Sequence, residues 1–140
     1  MLGLLVVTHG GLAEQLVGAA KRILGSDRGM VALSIDWDDD VERAQRSIAE
    51  AVERVDDGDG VLILTDMFGG TPTNLTLPLL DVGQIEIVTG VNLPMLIKYA
   101  NHRDHYTLAE AAREIAEQGR AAIHCASGLL ASEAASETDA

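Results

Sequence analysis

Cysteine, aromatic residues and basic charge are all scarce in this chain. A single cysteine, Cys125, permits no intrachain disulfide and no thiolate zinc cluster. Aromatics make up 3% of the residues, so the core has to be assembled from Val, Ile, Leu, Ala and Met. That composition suits a parallel sheet covered by helices on both faces. Lys and Arg number 10 against 22 Asp and Glu, for a net charge of −12. Such a field repels a phosphate backbone, which argues against nucleic acid as a partner. It attracts a basic protein, with an encounter rate that falls as salt rises. No apolar run reaches the length of a membrane span. The first residues read as an apolar strand with no basic leader, so no signal peptide is expected. A cytoplasmic protein is expected, touching a membrane only indirectly.

What is present suits one domain: 140 residues, 47% of them hydrophobic. Apolar runs predict strands at residues 3–8, 30–35, 61–65 and 84–89, with a short fifth strand at 121–125. Helical spacing fills the gaps. Leu12, Leu16, Ala19, Ala20 and Ile23 share one face of a first helix, which Gly25 ends. Asp38, Asp39 and Asp40 precede a second helix with Val41, Ala44, Ile48, Val52 and Val55 at helical spacing. Thr71 and Pro72 read as the N-cap and first turn of a helix running to about Leu80. A short helix follows Pro94, from Met95 to Ala100. Thr107 and Glu110 form a capping box for a last helix with Leu108, Ala111, Ala112 and Ile115 inside, stopped by Gly119. The domain is expected to span residues 1–126, and 127–140, small and acidic, to be a disordered tail.

Alternating strands and helices predict an α/β fold: a doubly wound open sheet, mainly parallel, in the order 2-1-3-4, with the fifth strand as a possible edge. Ligands in such sheets bind at the carboxyl ends of the strands, where the strand order reverses. In that order strands one and three are neighbours. The first residues past them are His9 and Asp66. A carboxylate that accepts the Nδ1 proton of an imidazole fixes the ring and leaves the Nε2 lone pair exposed. Such a nitrogen can attack phosphorus. The added charge then calls for donors, which backbone N–H groups near Gly10, Gly70 and Thr71 and the Thr71 hydroxyl provide.

Each residue taken singly has a plainer reading. His9 and Asp66 can be loop and cap residues, and Gly69-Gly70-Thr71-Pro72 can be turn chemistry. Asn92 reads as an N-cap before it reads as a ligand. Met67 and Phe68 either pack on the core or lie exposed as a docking patch. Trp37 is expected to cover the edge of the sheet. His102 and His105 fall in a solvated loop and His124 on an edge strand, so no second imidazole converges on His9. Neither a metal site nor a cofactor is expected.

Three segments together carry a resemblance: Thr8-His9-Gly10, Thr65 to Pro72, and Thr89 to Leu96. In order and spacing, over about residues 1–125, the chain resembles the mannose-type enzyme IIA family (mannose, fructose and sorbose IIA components) of the bacterial sugar phosphotransferase system. The resemblance implies a phosphotransferase with a phosphohistidine intermediate. His9 would take a phosphoryl group at Nε2 from phospho-HPr and pass it to a IIB component, with Asp66 orienting the ring and Thr71 close to the group. Met67, Phe68 and Asn92 would face the partner proteins. It also implies a homodimer in which a carboxyl-terminal strand joins the partner's sheet, with 121–125 as the candidate strand. This chain has Phe68 where the mannose transporter's pattern has Trp. No IIB segment follows the domain, so the acceptor is expected to be a separate chain, or the protein to act as a regulatory sensor of phosphorylation. Two rivals share parts of the pattern. The phosphocarrier subunit of dihydroxyacetone kinase differs in its acceptor, and a small chelatase-like metal-binding protein also places His-Gly after a first strand.

Overall fold

The computed structural model describes residues 1–81 and 84–139. Four strands, β1 (Gly3–His9), β2 (Met30–Ile35), β3 (Val61–Thr65) and β4 (Ile85–Thr89), form one all-parallel sheet in the order β2-β1-β3-β4. The helices are α1 (Leu12–Leu24), α2 (Val41–Val55), α3 (Thr71–Thr76), α4 (Leu93–His102), α5 (Leu108–Ala121) and α6 (Ala126–Asp139). A 3₁₀ segment, Leu77–Asp81, continues α3.

Both faces of the sheet are covered, which is why its central strands read as unbroken apolar runs rather than alternating ones. Leu4, Val6, Leu62 and Leu64 pack with Ala13, Val17, Leu96, Tyr99 and Ile115 from α1, α4 and α5. Leu5, Val7, Val61 and Ile63 point the other way, onto Ala44, Ile48, Ala51 and Val55 of α2. β1 is therefore buried on both sides along its apolar length and delivers its last residue to a fixed place. Tyr99, the largest fully buried side chain, donates its hydroxyl to the Leu2 carbonyl at 2.6 Å. Burial pushes its pKa up to about 12, against the pull of the Arg103 charge.

The four main strand expectations match closely, and several other expectations need correction. The buried face of α1 is Ala13, Val17 and Ala20; of the expected stripe Ala20 is buried and Leu16 packs against the core, while Leu12, Ala19 and Ile23 are exposed. Small alanines let the helix approach the sheet. Thr71 opens α3 as its first residue, with Gly70 at the N-cap. The α-helix then ends at Thr76, because Pro78 has no N–H for the Asn74 carbonyl and its ring crowds that group. Gly119 does not stop α5. It lies buried inside the helix, where a Cβ would come within 2.7 Å of Met95 Sδ. It is the notch into which Met95 packs.

No fifth strand forms at 121–125 among the described residues. Ala121 completes α5, and the turn is held by Ala122 N–H to the Gln118 carbonyl at 3.0 Å and Ile123 N–H to the Arg120 carbonyl at 3.3 Å. Ile123 is the only large aliphatic residue there and it is exposed, so the stretch has nothing to bury as an added edge. The segment expected to lack structure is helix α6 as far as Asp139, with Ala140 outside the described residues. Residues 123–134 are all exposed, so this stretch adds nothing to the buried core.

Candidate functional site

His9 is the last residue of β1 rather than the first of a loop, in register with Ile35 of β2. Val7 pairs with Thr65 of β3, so the residue after β3, Asp66, comes level with the end of β1. Its Oδ2 accepts two hydrogen bonds from the same residue: one from the His9 backbone N–H at 3.0 Å, one from His9 Nδ1 at 2.6 Å. Oδ1 accepts from the Met67 N–H at 3.0 Å. A carboxylate only accepts, so the proton lies on Nδ1 and the Nε2 lone pair is left open. Both side chains are largely enclosed, at 18% and 13% exposure. Burial pushes the Asp66 carboxyl up, and the His9 ring and backbone hydrogen bonds outweigh it, leaving its pKa below the ordinary carboxylate value.

The surroundings of the ring are made by backbone and by loop geometry. Gly10 takes φ +52°, which turns the chain sharply between His9 and α1. A Cβ on Gly70 would lie 2.7 Å from His9 Cε1 and 3.2 Å from Nε2, so only glycine fits against the imidazole. Thr71 is exposed beside it and lines, with His9, Trp37, Asp36, Asp39 and Leu75, a cleft of about 200 Å³. Met67 and Phe68 are 55% and 74% exposed, so neither packs into the core.

Several contributors were not legible in the sequence. Thr8 is fully buried, and its hydroxyl accepts from the Ala13 N–H at 2.7 Å and donates to the His9 carbonyl at 3.2 Å. It serves an amino-terminal N–H of α1, whose N-cap Gly11 has no side chain to do so. Thr73 donates its hydroxyl to the Met67 carbonyl at 2.7 Å and accepts from Thr65 Oγ1 at 2.6 Å. This buried pair fastens the loop that carries Asp66 and Gly70. A threonine directly after a helix-opening proline was the available signal. Trp37 does not cover the sheet edge. It is 81% exposed and stacks on the His9 ring, with centroids 5.0 Å apart. The strand order already places the loop after β2 beside β1, which was the clue.

Other candidates lie elsewhere. Asn92 caps α4: its Oδ1 accepts from the Met95 N–H at 3.3 Å and its Nδ2 donates to the Gly119 carbonyl at 3.1 Å. Both ends of the amide are thus used in tying α4 to α5. His102 ends α4 and tilts against Tyr106, while His105 and His124 are exposed, the latter between α5 and α6 rather than on a strand. Among the described residues, no group of three or more His, Cys, Asp or Glu is placed to hold a metal ion, and no helix is long and apolar enough to cross a membrane. A larger cavity of about 1060 Å³ opens at the amino ends of the strands, among Met1, Asp59, Arg103 and Tyr106. Its lining has no imidazole, and His9 lies at the opposite end of the sheet.

Comparison with known proteins agrees with this geometry. Residues 3–116 match the family model described as the PTS system fructose IIA component. The PTS system fructose-specific EIIA component of Bacillus subtilis is 26% identical over 111 residues, covering 79% of this chain and 76% of that protein. The mannose-specific EIIAB component of Escherichia coli K12 is 30% identical over 104 residues, 74% of this chain and 32% of the longer relative. Among solved structures, the mannose/sorbose specific IIA subunit from Enterococcus faecalis superposes with a TM-score of 0.80 at 25% identity, over 88% of this chain and 92% of that one. A phosphotransferase system EIIA component from Streptococcus agalactiae gives a TM-score of 0.83 at 20% identity, over 91% and 99% of the two chains, which speaks to the fold alone. The chain belongs to the fructose and mannose IIA family of the sugar phosphotransferase system, whose members are its phosphoryl carriers.

Proposed function

We propose that His9 is the residue that carries the phosphoryl group. Its Nε2 accepts the group from phospho-HPr and passes it to a IIB component on another chain. The observation that carries this reading is the 2.6 Å contact between His9 Nδ1 and Asp66 Oδ2, which holds the ring with Nε2 open over Gly70. Asp66 fixes the tautomer and balances the positive charge that the ring gains on transfer. Gly10 and Gly70 let backbone come close to the incoming oxygens, and the Thr71 hydroxyl, exposed on the cleft, donates to one of them.

The partner proteins dock over the same end of the sheet. Met67 and Phe68 offer apolar contact there, beside acidic Asp36 and Asp39, and the net charge of −12 steers a basic donor toward it. Asn92 supports that surface through α4. The protein works in the cytoplasm, as a homodimer.

Incubation with phosphoenolpyruvate, enzyme I and HPr tests the assignment. Wild-type protein is expected to acquire an acid-labile, base-stable label, and His9→Ala to acquire none. Label persisting in His9→Ala overturns the reading. Discharge of the labelled protein by a IIB component tests the second half of the route.

A further inference from the structure

The chain contains one tryptophan, and it lies on the imidazole of His9. Trp37 follows β2, in the turn before α2. Its ring centroid is 5.0 Å from that of His9, and the two planes are 26° from parallel. The core closes without this indole, which is 81% exposed. Its place is set by the backbone of its own turn: Asp36 N–H donates to Asp39 Oδ2 at 2.9 Å, Asp39 N–H donates to the Asp36 carbonyl at 3.1 Å, and Asp40 caps α2. Among the described residues the indole N–H has no hydrogen-bond partner. What the indole touches is the histidine.

The imidazole is therefore bounded by three different groups. Asp66 holds Nδ1, Gly70 backs onto Cε1 and Nε2, and Trp37 stacks on the ring. The first two restrain position. The third adds an electrostatic preference, because the face of an indole is negative and attracts a cation within about 6 Å of its centroid.

The charge on the ring changes during transfer, on the reading that His9 is the carrier. The Nε2 lone pair attacks the phosphorus of an N-phosphorylated imidazolium on the donor, whose other ring nitrogen carries a proton. The Nε2–P bond forms, the donor's N–P bond breaks, and that electron pair returns to the donor nitrogen. Nδ1 keeps its proton, shared with Asp66. The donor ring leaves neutral and the His9 ring is left cationic. We infer that Trp37 is a positioning residue of the transfer site, whose indole holds the His9 ring in place and stabilises the charge it acquires on loading. The loaded state gains more from the stack than the empty one, so the indole acts on the reaction and not only on the resting geometry.

A donor that needs no protein docking separates this role from partner contact. Wild type, Trp37→Phe and Trp37→Ala are loaded with phosphoramidate and, in parallel, with phosphoenolpyruvate, enzyme I and HPr, and the labelled residue is mapped. Trp37→Ala is expected to load about two- to fivefold more slowly with both donors, and its phospho form to decay faster by a similar factor. Trp37→Phe restores most of the loss, since a phenyl face also stacks. In wild type the emission of the single tryptophan changes on loading, and in His9→Gln that change disappears. Melting temperatures of the variants stay level, as an exposed side chain predicts. Loading at His9 with equal rates in wild type and Trp37→Ala overturns the proposal. So does a loss confined to the HPr reaction, which makes the indole a docking contact only. Loading at a residue other than His9 overturns the reading of the site itself.

Discussion

The two ends of the sheet offer contrasting concavities, and the small one beside His9 is where the proposed chemistry sits. At the amino ends lies about 1060 Å³ of space, bounded by Met1, Asp59, Arg103 and Tyr106. At the carboxyl end of β1, beside His9, there is about 200 Å³, apart from a hollow of about 370 Å³ past β4. The difference is in what converges. The large cavity is rimmed by an exposed ion pair between the Met1 ammonium and Asp59 and by side chains with no shared target. In the small one a carboxylate with two bonds to one histidine, a glycine without room for a methyl and an indole meet on one imidazole. Volume measures how much can enter. Chemistry depends on how few positions the reactive atom can take.

The most severe way to break the small site is to remove its orienting group. Asp66→Asn can accept at one atom only and can leave the ring in the wrong tautomer. Loading from phospho-HPr is expected to slow about a hundredfold or more in a rapid-quench assay, with the fold intact by circular dichroism. A rate within threefold of wild type contradicts the role given to Asp66. Gly70→Ala comes next. Its methyl must displace the imidazole, so transfer is expected to fall about tenfold or more. At the other end of the sheet, Asp59→Ala is expected to leave the loading rate untouched, and a comparable fall there would erase the contrast between the two concavities.

Stability sharpens the comparison further. Thr73→Val keeps the shape and removes the hydroxyl that serves Met67 and Thr65. It is expected to cost about 1–3 kcal/mol in urea unfolding and to slow transfer through the loosened loop. Tyr99→Phe, near the amino ends, should cost about 1 kcal/mol and leave transfer alone. The smallest effect concerns acid. The Asp66 carboxyl is held below its ordinary value of 3.8, so the stabilisation that it contributes is complete above that pH and is lost as pH falls through its lower native value. Melting curves of wild type and Asp66→Asn are expected to keep a constant gap at neutral and mildly acid pH and to converge below about pH 4. A gap as wide at pH 3 as at pH 7 would contradict this.

Much of this architecture was legible because strands buried on both faces announce themselves. The ranges for β2 and β3 coincide with the apolar runs, and the 2-1-3-4 order brings His9 to Asp66 as expected. Legibility failed where one pattern served two outcomes. Leu12-Leu16-Ala20 and Ala13-Val17-Ala20 both fit a helical period, and close packing on the sheet centred the buried face on Ala13 and Val17, with Leu16 at its margin. The glycine at 119 read as a stop, but a buried contact with Met95 explains it inside the helix. Trp37 escaped because its partner is 28 residues away on another strand and its role depends on neither burial nor a motif.

One property of the small cleft bears on direction rather than speed. Apart from His9, none of the described residues lining it is basic, and two of them, Asp36 and Asp39, are acids. A pocket meant to keep phosphate would close on it with guanidinium groups. If His9 carries the group as proposed, the arriving dianion meets here a hydroxyl, backbone and nearby negative charge. On that reading the cargo would be held by one covalent bond and little else, and the bond would keep most of its tendency to break toward another nucleophile. Weak retention leaves the exchange poised near balance, so that the ratio of loaded to empty protein can follow the state of the donor pool in either direction.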